Sequence, residues 1–231
     1  MTMTVHDNTM LDNALPASPP QQNAEKAALL QEFYDAKMDV QKNVATYNQH
    51  SAAYDDWAND GTWIAPKKLA EAVHSLGVAG KKILDFGAGT GLLGVQLKRL
   101  EATCILDGAD VSSGMLERAD INYGAKLYET KHVGLLNQDY SLPEQSYDGV
   151  AAAGVIGTHV GFDEVLKLMP SVKVGGFISY TIKKDVNQTY VIDHYKDLPQ
   201  GWELDKIIQA GSLIPDHPNI FHEIVVLTRK A

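Results

Sequence analysis

Alternating strand and helix signals after Gly77 predict an α/β domain built on a mainly parallel sheet, with helices on both faces. Three observations carry that prediction. Runs such as Ile83-Leu84 and Val150-Ala151-Ala152-Ala153 have the unbroken apolar character of strands buried on both faces. Turns separate these runs from helical patterns such as Leu92 to Leu100. Between the first strand and the first helix of the domain lies a glycine turn, Asp85-Phe86-Gly87-Ala88-Gly89-Thr90-Gly91. Glycine lacks a Cβ and tolerates positive φ, so a ligand can lie against bare backbone at such a turn.

Residues 1–22 are rich in Asn, Thr, Ser, Pro and Gln and read as a flexible tail closed by Pro19-Pro20. Residues 23–76 read as an N-terminal helical cap and 77–231 as the main domain. In the cap, Leu29, Phe33, Val40, Val44 and Tyr47 recur near one helical face. That face packs either on the chain's own domain or on a second subunit, giving a monomer or a homodimer. An aromatic-rich connection follows, with Tyr54, Trp57 and Trp63. Its rings either glue the cap to the domain or line a cleft, Tyr54 and Trp63 being the cleft candidates. Pro66 suits the first turn of a helix over 67–76.

Within the domain, Lys82 to Asp85 reads as the first strand and Leu92 to Leu100 as its helix. Ala102 to Ala109 is the second strand, ending at Asp110, with a helix starting at Ser113. The third strand lies within Leu127 to Leu136, and the fourth is Tyr147 to Ala153. A helix over Phe162 to Leu168 and a Gly175-Gly176 turn lead to a fifth strand, Phe177 to Ile182. Phe221 to Thr228 alternates as a strand, while Trp202 to Leu213 fits strand or helix. A pair joined through Pro215 to Pro218 predicts an antiparallel edge.

The 231 residues are 45% apolar, enough for one sizeable domain with a full core. A net charge of −9 with no basic stripe argues against a nucleic-acid partner. The single cysteine, Cys104, allows no intrachain disulfide and fits a reducing compartment. No apolar run nears the ~20 residues that span a bilayer, and the N-terminus lacks signal-peptide regions. The expectation is therefore a cytoplasmic protein with no membrane partner. No His/Cys/Asp cluster has metal-ligand spacing, so no metal is expected.

Two ligand readings of the glycine turn compete. Gly89-Thr90-Gly91-Leu92-Leu93-Gly94 matches G-x-G-x-x-G, and Asp110 follows about 20 residues on, as in a nicotinamide-dependent oxidoreductase. That reading leaves Asp85 and Gly87 unused. The run Asp85-x-Gly87-x-Gly89-Thr90-Gly91 uses every position, and it resembles the first motif of class I S-adenosylmethionine-dependent methyltransferases. A carboxylate at Asp85 suits the ammonium group of that cofactor and is poor company for a pyrophosphate. Asp110 can accept both ribose hydroxyls, and Asp110-Val111-Ser112-Ser113-Gly114-Met115-Leu116 resembles the family's D-x-S-x-x-M-L run. The order of Tyr54-Asp55-Asp56-Trp57, Trp63-x-Ala65-Pro66, the glycine motif, Tyr147-Asp148-Gly149-Val150, Thr158-His159-Val160 and Lys173-x-Gly175-Gly176 is similar to the Williams–Beuren-region methyltransferase-like proteins.

The resemblance implies a Rossmann-like fold, with a mainly parallel seven-stranded sheet, an antiparallel C-terminal strand and the helical cap. It implies S-adenosylmethionine as cofactor and S-adenosylhomocysteine as product. The expected cofactor residues are Tyr54, Trp63, Asp85, Gly87, Ala88, Gly89, Gly91, Asp110, Val111, Met115, Asp139, Tyr140 and Ala153. The acid that meets the adenine amine after strand three is Asp139, unless the register puts Leu135 there and leaves the adenine to backbone groups. Methyl transfer is an in-line displacement in which the protein positions the nucleophile and excludes water. A base is needed only for a protonated nucleophile. His159, just past strand four, is the candidate, against a role in holding cofactor or capping a helix. His132, His194, His217 and His222 read as exposed or edge residues. The small Ala151 to Gly154 run either lets helices pack closely or leaves room for the reacting methyl, and Tyr180 with Tyr54, Trp57 and Trp63 either builds a lid around an apolar or cationic substrate or packs in the core. The expected function is methylation of O, N or S on a small molecule. The alternatives are the oxidoreductase and a non-catalytic cofactor-binding subunit.

Overall fold

The structure is a computed structural model that describes residues 40–58, 63–185, 197–212 and 220–231. The predicted tail, the helical positions Leu29 and Phe33, His194, His217 and the turn through Pro215 lie outside the described residues. Among the described residues two helices come first: α1, Val40–Ala58, kinked at His50, and α2, Ala65–His74, with Pro66 in its first turn. The domain then runs β1 Lys82–Phe86, α3 Leu92–Leu100, β2 Ile105–Asp110, α4 Ser113–Tyr123, β3 Lys131–Val133, β4 Tyr147–Ala152 and α5 Phe162–Leu168. A short 3₁₀ turn, Met169–Ser171, leads into β5 Val172–Asp185, β6 Trp202–Gly211 and β7 Ile220–Arg229.

Among the described residues seven strands form one sheet in the order β3-β2-β1-β4-β5-β7-β6. From β3 across to β5 the pairings are parallel, whereas β7 runs antiparallel to both β5 and β6. Side chains alternate across a strand, so Ile83 and Leu84 feed two separate cores. Ile83 packs with Leu69, Val73, Leu97 and Leu106 on one face. Leu84 packs with Val150, Val165, Leu168 and Ile178 on the other. Fully burying each such aliphatic side chain stabilises the fold by about 1.5–3 kcal/mol. Helix α2 joins the first core through Leu69, Ala70, Ala72 and Val73. The buried thiol of Cys104 belongs to the same core.

The antiparallel pair sits at the expected edge, and the stretch from Trp202 that fits strand or helix in sequence is strand β6. Within that pair the spatial order inverts the chain order, since β7 inserts between β5 and β6. Two other expectations are corrected and one open alternative is decided. The Gly175-Gly176 pair does not precede β5 but lies inside it, as a bulge with Gly175 at φ +79°. There the pairing with β4 slips between Tyr147↔Val172 and Gly149↔Phe177. A Cβ on Gly176 would sit 2.7 Å from the Asp148 carbonyl, so the bulge needs a bare backbone. His222, which reads in sequence as an exposed or edge residue, is 7% exposed because β7 is an inner strand. Tyr180, open in sequence between a lid and the core, is wholly buried in β5 within the second core.

Strand order reverses between β1 and β4, whose parallel neighbours lead away in opposite directions. The chain leaves both strands at the same end of the sheet, which opens a crevice at their carboxyl ends. The glycine turn borders this crevice.

Candidate active site

The turn after β1 is stitched to the end of β2. Gly87 and Ala88 N–H both donate to the Ala109 carbonyl, at 2.8 and 2.9 Å. Gly87, Gly89 and Gly91 all have positive φ, at 70°, 54° and 90°. A Cβ on Gly87 would lie 2.2 Å from Val155 Cγ2, so that turn closes only over glycine. Asp110 completes the stitching: Oδ2 accepts from Gly89 N–H at 2.8 Å and Oδ1 from Ser112 N–H at 2.9 Å. Burial raises the Asp110 pKa, offset by these N–H groups and that of Val111. Each carboxylate oxygen keeps a second lone pair, so a diol can still be accepted.

Tyr54, Trp63, Asp85, Gly87, Ala88, Gly89, Thr90 and Ala153 line one cleft, whose volume with its open mouth is about 300 Å³. Asp85 is 1% exposed at its inner wall. Tyr128 Oη donates to Asp85 Oδ2 at 2.7 Å, and Gly94 N–H at the start of α3 donates to the same carboxylate. Gly91, the N-cap of α3, has no side chain to offer, so Asp85 caps that helix from the neighbouring strand. Burial pushes the Asp85 pKa up to about 7, the Tyr128 and Gly94 donors opposing it and the Asp110 charge reinforcing it. Thr90 Oγ1 is buried in the same wall without a hydrogen-bond partner.

Helix α1 lies across the mouth. Asn48 Oδ1 accepts from Ser112 Oγ and Gly114 N–H, at 2.7 and 3.0 Å, which ties the cap to the start of α4. Asp55 accepts from Arg118 Nε and Asn122 Nδ2, at 2.6 and 2.7 Å. Aromatic rings run from Trp63 to Tyr54 to Tyr47 to His159 in edge-to-face contacts, with centroids 6.3, 5.9 and 5.5 Å apart. The Trp63 ring rests on Gly154, where a Cβ would approach it to 2.8 Å. His159 lies in the turn after β4, its Nε2 3.0 Å from Tyr47 Oη and its Nδ1 3.3 Å from Asn43 Nδ2. An amide N–H₂ can only donate, so in this arrangement Nδ1 accepts and Nε2–H donates to the phenol. Burial, with the Asp110 charge, raises the Tyr47 pKa and keeps the phenol protonated.

Met115, which would lie 3.4 Å from a Cβ on Gly89, forms an apolar floor beside half-buried Val111. Asp139 is exposed, and its Oδ2 accepts from Leu135 N–H at 2.7 Å. The two candidates for the adenine acid are thus joined in one turn, and Asp139 faces its own backbone. Tyr140 stacks on His132, centroids 5.0 Å apart. The Trp57 side chain lies outside the described residues. Sequence reasoning misses Tyr128, Thr90 and the Asn43–Tyr47 grip on His159. Tyr47 reads in sequence as part of an apolar helix face, and Tyr128 sits in a connecting segment with no motif around it.

The donor set fits S-adenosylmethionine. Asp85 offers a buried acceptor and Thr90 an orphaned hydroxyl on one wall, which suits an amino-acid head bearing both charges. Asp110 suits a ribose, and Met115 with Val111 an adenine face. A dinucleotide pyrophosphate would face Asp85 directly. The third glycine of the G-x-G-x-x-G reading, Gly94, is explained by Tyr128, whose Oη would lie 2.7 Å from a Cβ there. Among the described residues, no group of three or more His, Cys, Asp or Glu could hold a metal ion. No helix among them is long and apolar enough to cross a membrane.

Comparison with known proteins agrees. Residues 83–173 match the methyltransferase domain family. No curated protein matches the chain by sequence. A TehB-like S-adenosylmethionine-dependent methyltransferase from Corynebacterium glutamicum superposes with TM-score 0.56 at 18% identity, covering 80% of this chain and 99% of that one. A methyltransferase from Thiobacillus denitrificans, in complex with S-adenosylhomocysteine, gives 0.54 at 15%, covering 77% and 98%. The [4+2]-cyclase SpnF gives 0.65 at 13%, covering 83% and 96%. The narrower Williams–Beuren likeness rests on sequence motifs alone. Fold and family match meet in one finding: residues 83–173 match the methyltransferase domain family, and the chain has the fold of S-adenosylmethionine-dependent methyltransferases.

Proposed function

We propose that this domain methylates an O, N or S atom of a small molecule held under the α1 cap. The observation that supports this best is the row of rings at the cleft: Tyr54 and Trp63 line it, and Tyr47 and His159 continue the row from Tyr54. Rings along one wall of a concave cleft displace water and suit the flat or cationic surface of a small molecule. When bound, the cofactor supplies an electrophilic methyl; the chain's residues hold, orient and deprotonate. Asp85, with Thr90 and the Gly87–Gly91 turn, holds the amino-acid head. Asp110 holds the ribose, and Val111, Met115, Tyr140 and the Leu135–Asp139 turn surround the adenine. Ala153, which lines the cleft, leaves space where the acceptor atom approaches. His159 takes the acceptor's proton at Nε2 through the Tyr47 phenol in its other tautomer, reached when the Asn43 amide turns its otherwise unpartnered Oδ1 to Nδ1–H. Rings around a cation are stabilising, so an amine is among the acceptors that suit the row.

The SpnF likeness favours one second reading, because a class I fold can carry a cyclase. One experiment separates the two. Labelled S-adenosylmethionine is turned over with a pooled extract of small metabolites, and products are identified by mass. The expected result is a product heavier by one methyl, formed with release of S-adenosylhomocysteine. His159→Gln should lower kcat by about 10²–10⁴-fold with S-adenosylhomocysteine binding intact. Cofactor binding without label transfer to any small molecule would refute the proposal, and an isomerised product with intact cofactor would favour the cyclase reading.

A further inference from the structure

We propose that Tyr128 is a positioning residue for the cofactor's ammonium group, acting through Asp85. The inference rests on the cofactor reading and adds a residue to it. Tyr128 follows α4 and precedes β3, and its ring enters a slot between α3 and β2. Two glycines clear the slot. A Cβ on Gly94 would lie 2.7 Å from Tyr128 Oη, and one on Gly108 would lie 2.9 Å from its Cδ2. The ring is 2% exposed, and its hydroxyl meets Asp85 Oδ2 at 2.7 Å. This is a built contact, since the slot admits the ring only because both neighbours lack side chains.

The chemistry follows from what a buried carboxylate needs. Burial disfavours the Asp85 anion, and so does the Asp110 charge at the end of β2. Two donors favour it: the Tyr128 hydroxyl and the Gly94 N–H at the positive end of α3. The other titratable groups facing this pair are Tyr54, across the cleft, and Tyr123 of α4, beside Tyr128. None of these is a cation. The arriving ammonium is therefore the countercharge this site calls for, and Asp85 releases its proton to solvent as the ammonium docks. Tyr128 fixes Oδ2 and the carboxylate plane, leaving the remaining lone pairs for the ligand.

The test is calorimetric titration with S-adenosylhomocysteine and with 5′-methylthioadenosine, which lacks the amino-acid head, between pH 5.5 and 8.5. For the wild-type protein, S-adenosylhomocysteine affinity should rise with pH through neutrality, and methylthioadenosine affinity should stay flat. Tyr128→Phe keeps the ring and removes the hydroxyl. It should move the S-adenosylhomocysteine midpoint up by about one pH unit, a tenfold change in Asp85 ionisation. 3-Fluorotyrosine at position 128, a stronger donor of the same shape, should move it down and serves where the Phe variant is too unstable. In an Asp85→Asn background Tyr128→Phe should have no further effect on the pH profile. An unmoved midpoint in both variants, or an equal loss for the two ligands, would overturn the inference and make Tyr128 a packing residue. A wild-type protein that binds neither ligand would overturn the cofactor reading itself.

Discussion

Asp110→Asn separates the ribose role of this carboxylate from its role in holding the turn. In the wild type, its two oxygens accept from Gly89 and Ser112 N–H at 2.8 and 2.9 Å. Asparagine retains one carbonyl oxygen and sets an amide N–H₂ against the other backbone N–H. One charge-assisted bond becomes neutral and one donor loses its partner, at a combined cost of about 1–3 kcal/mol of stability. A typical domain has about 5–15 kcal/mol, so the variant still folds. Toward ligand, the same change removes one acceptor from the ribose pair, about another 1–3 kcal/mol, or roughly 5- to 150-fold in Kd. Urea melts measure the first quantity. Titration at about pH 8 with S-adenosylhomocysteine, methylthioadenosine and adenine measures the second. The two ribosides should weaken by the same factor and adenine should not weaken. Riboside affinity within twofold of wild type in a folded variant would refute the ribose role.

Asp85 has an ordinary pKa of 3.8 unfolded and about 7 folded, so the native state holds the extra proton between those values. Stability from this group is therefore fully present below about 4 and is lost as pH rises through 7; urea melts of wild type against Asp85→Asn at pH 5 and 8 should show the wild type losing the more. Gly154→Ala places a Cβ 2.8 Å from Trp63 Cζ2 at φ +73°, and should destabilise by about 1–3 kcal/mol and red-shift Trp63 emission, read in a protein carrying Trp57→Phe and Trp202→Phe. Asn48→Ala removes the acceptor shared by Ser112 and Gly114, and should speed amide exchange in α1 about fivefold, the equivalent of ~1 kcal/mol, with the β1 amides unchanged.

The parts of the fold carried by local patterns are legible in the sequence. Ile83-Leu84 announces a strand buried on both faces because each neighbour faces its own core. Phe162 to Leu168 shows its helix by periodicity, and Pro66 its helix start. Bulges and strand insertions are not legible, since they depend on pairing partners distant in sequence. Nothing within Gly175-Gly176 distinguishes a turn from a bulge, which follows from β4 slipping against β5. Tyr180 and His222 resemble lid or surface residues until β7 is placed between β5 and β6. At the site, Asp85 and the glycines are legible because one strand–turn–helix keeps them adjacent, and Asp110 because it ends the next strand. Tyr128 is not, because its slot is made by Gly94 and Gly108 in two other elements.

The insertion of β7 bears on how the chain assembles during synthesis. β5 and β6 emerge from the ribosome before the strand that joins them. Until Ile220–Arg229 arrives, β5 can pair only with β4 and keeps one bare edge, while β6 keeps two. Unpaired ladders of this kind invite association with other chains. β7, made after both, is thus the strand that joins them, and a chain cut short before it carries three open edges on β5 and β6 beside a finished glycine turn.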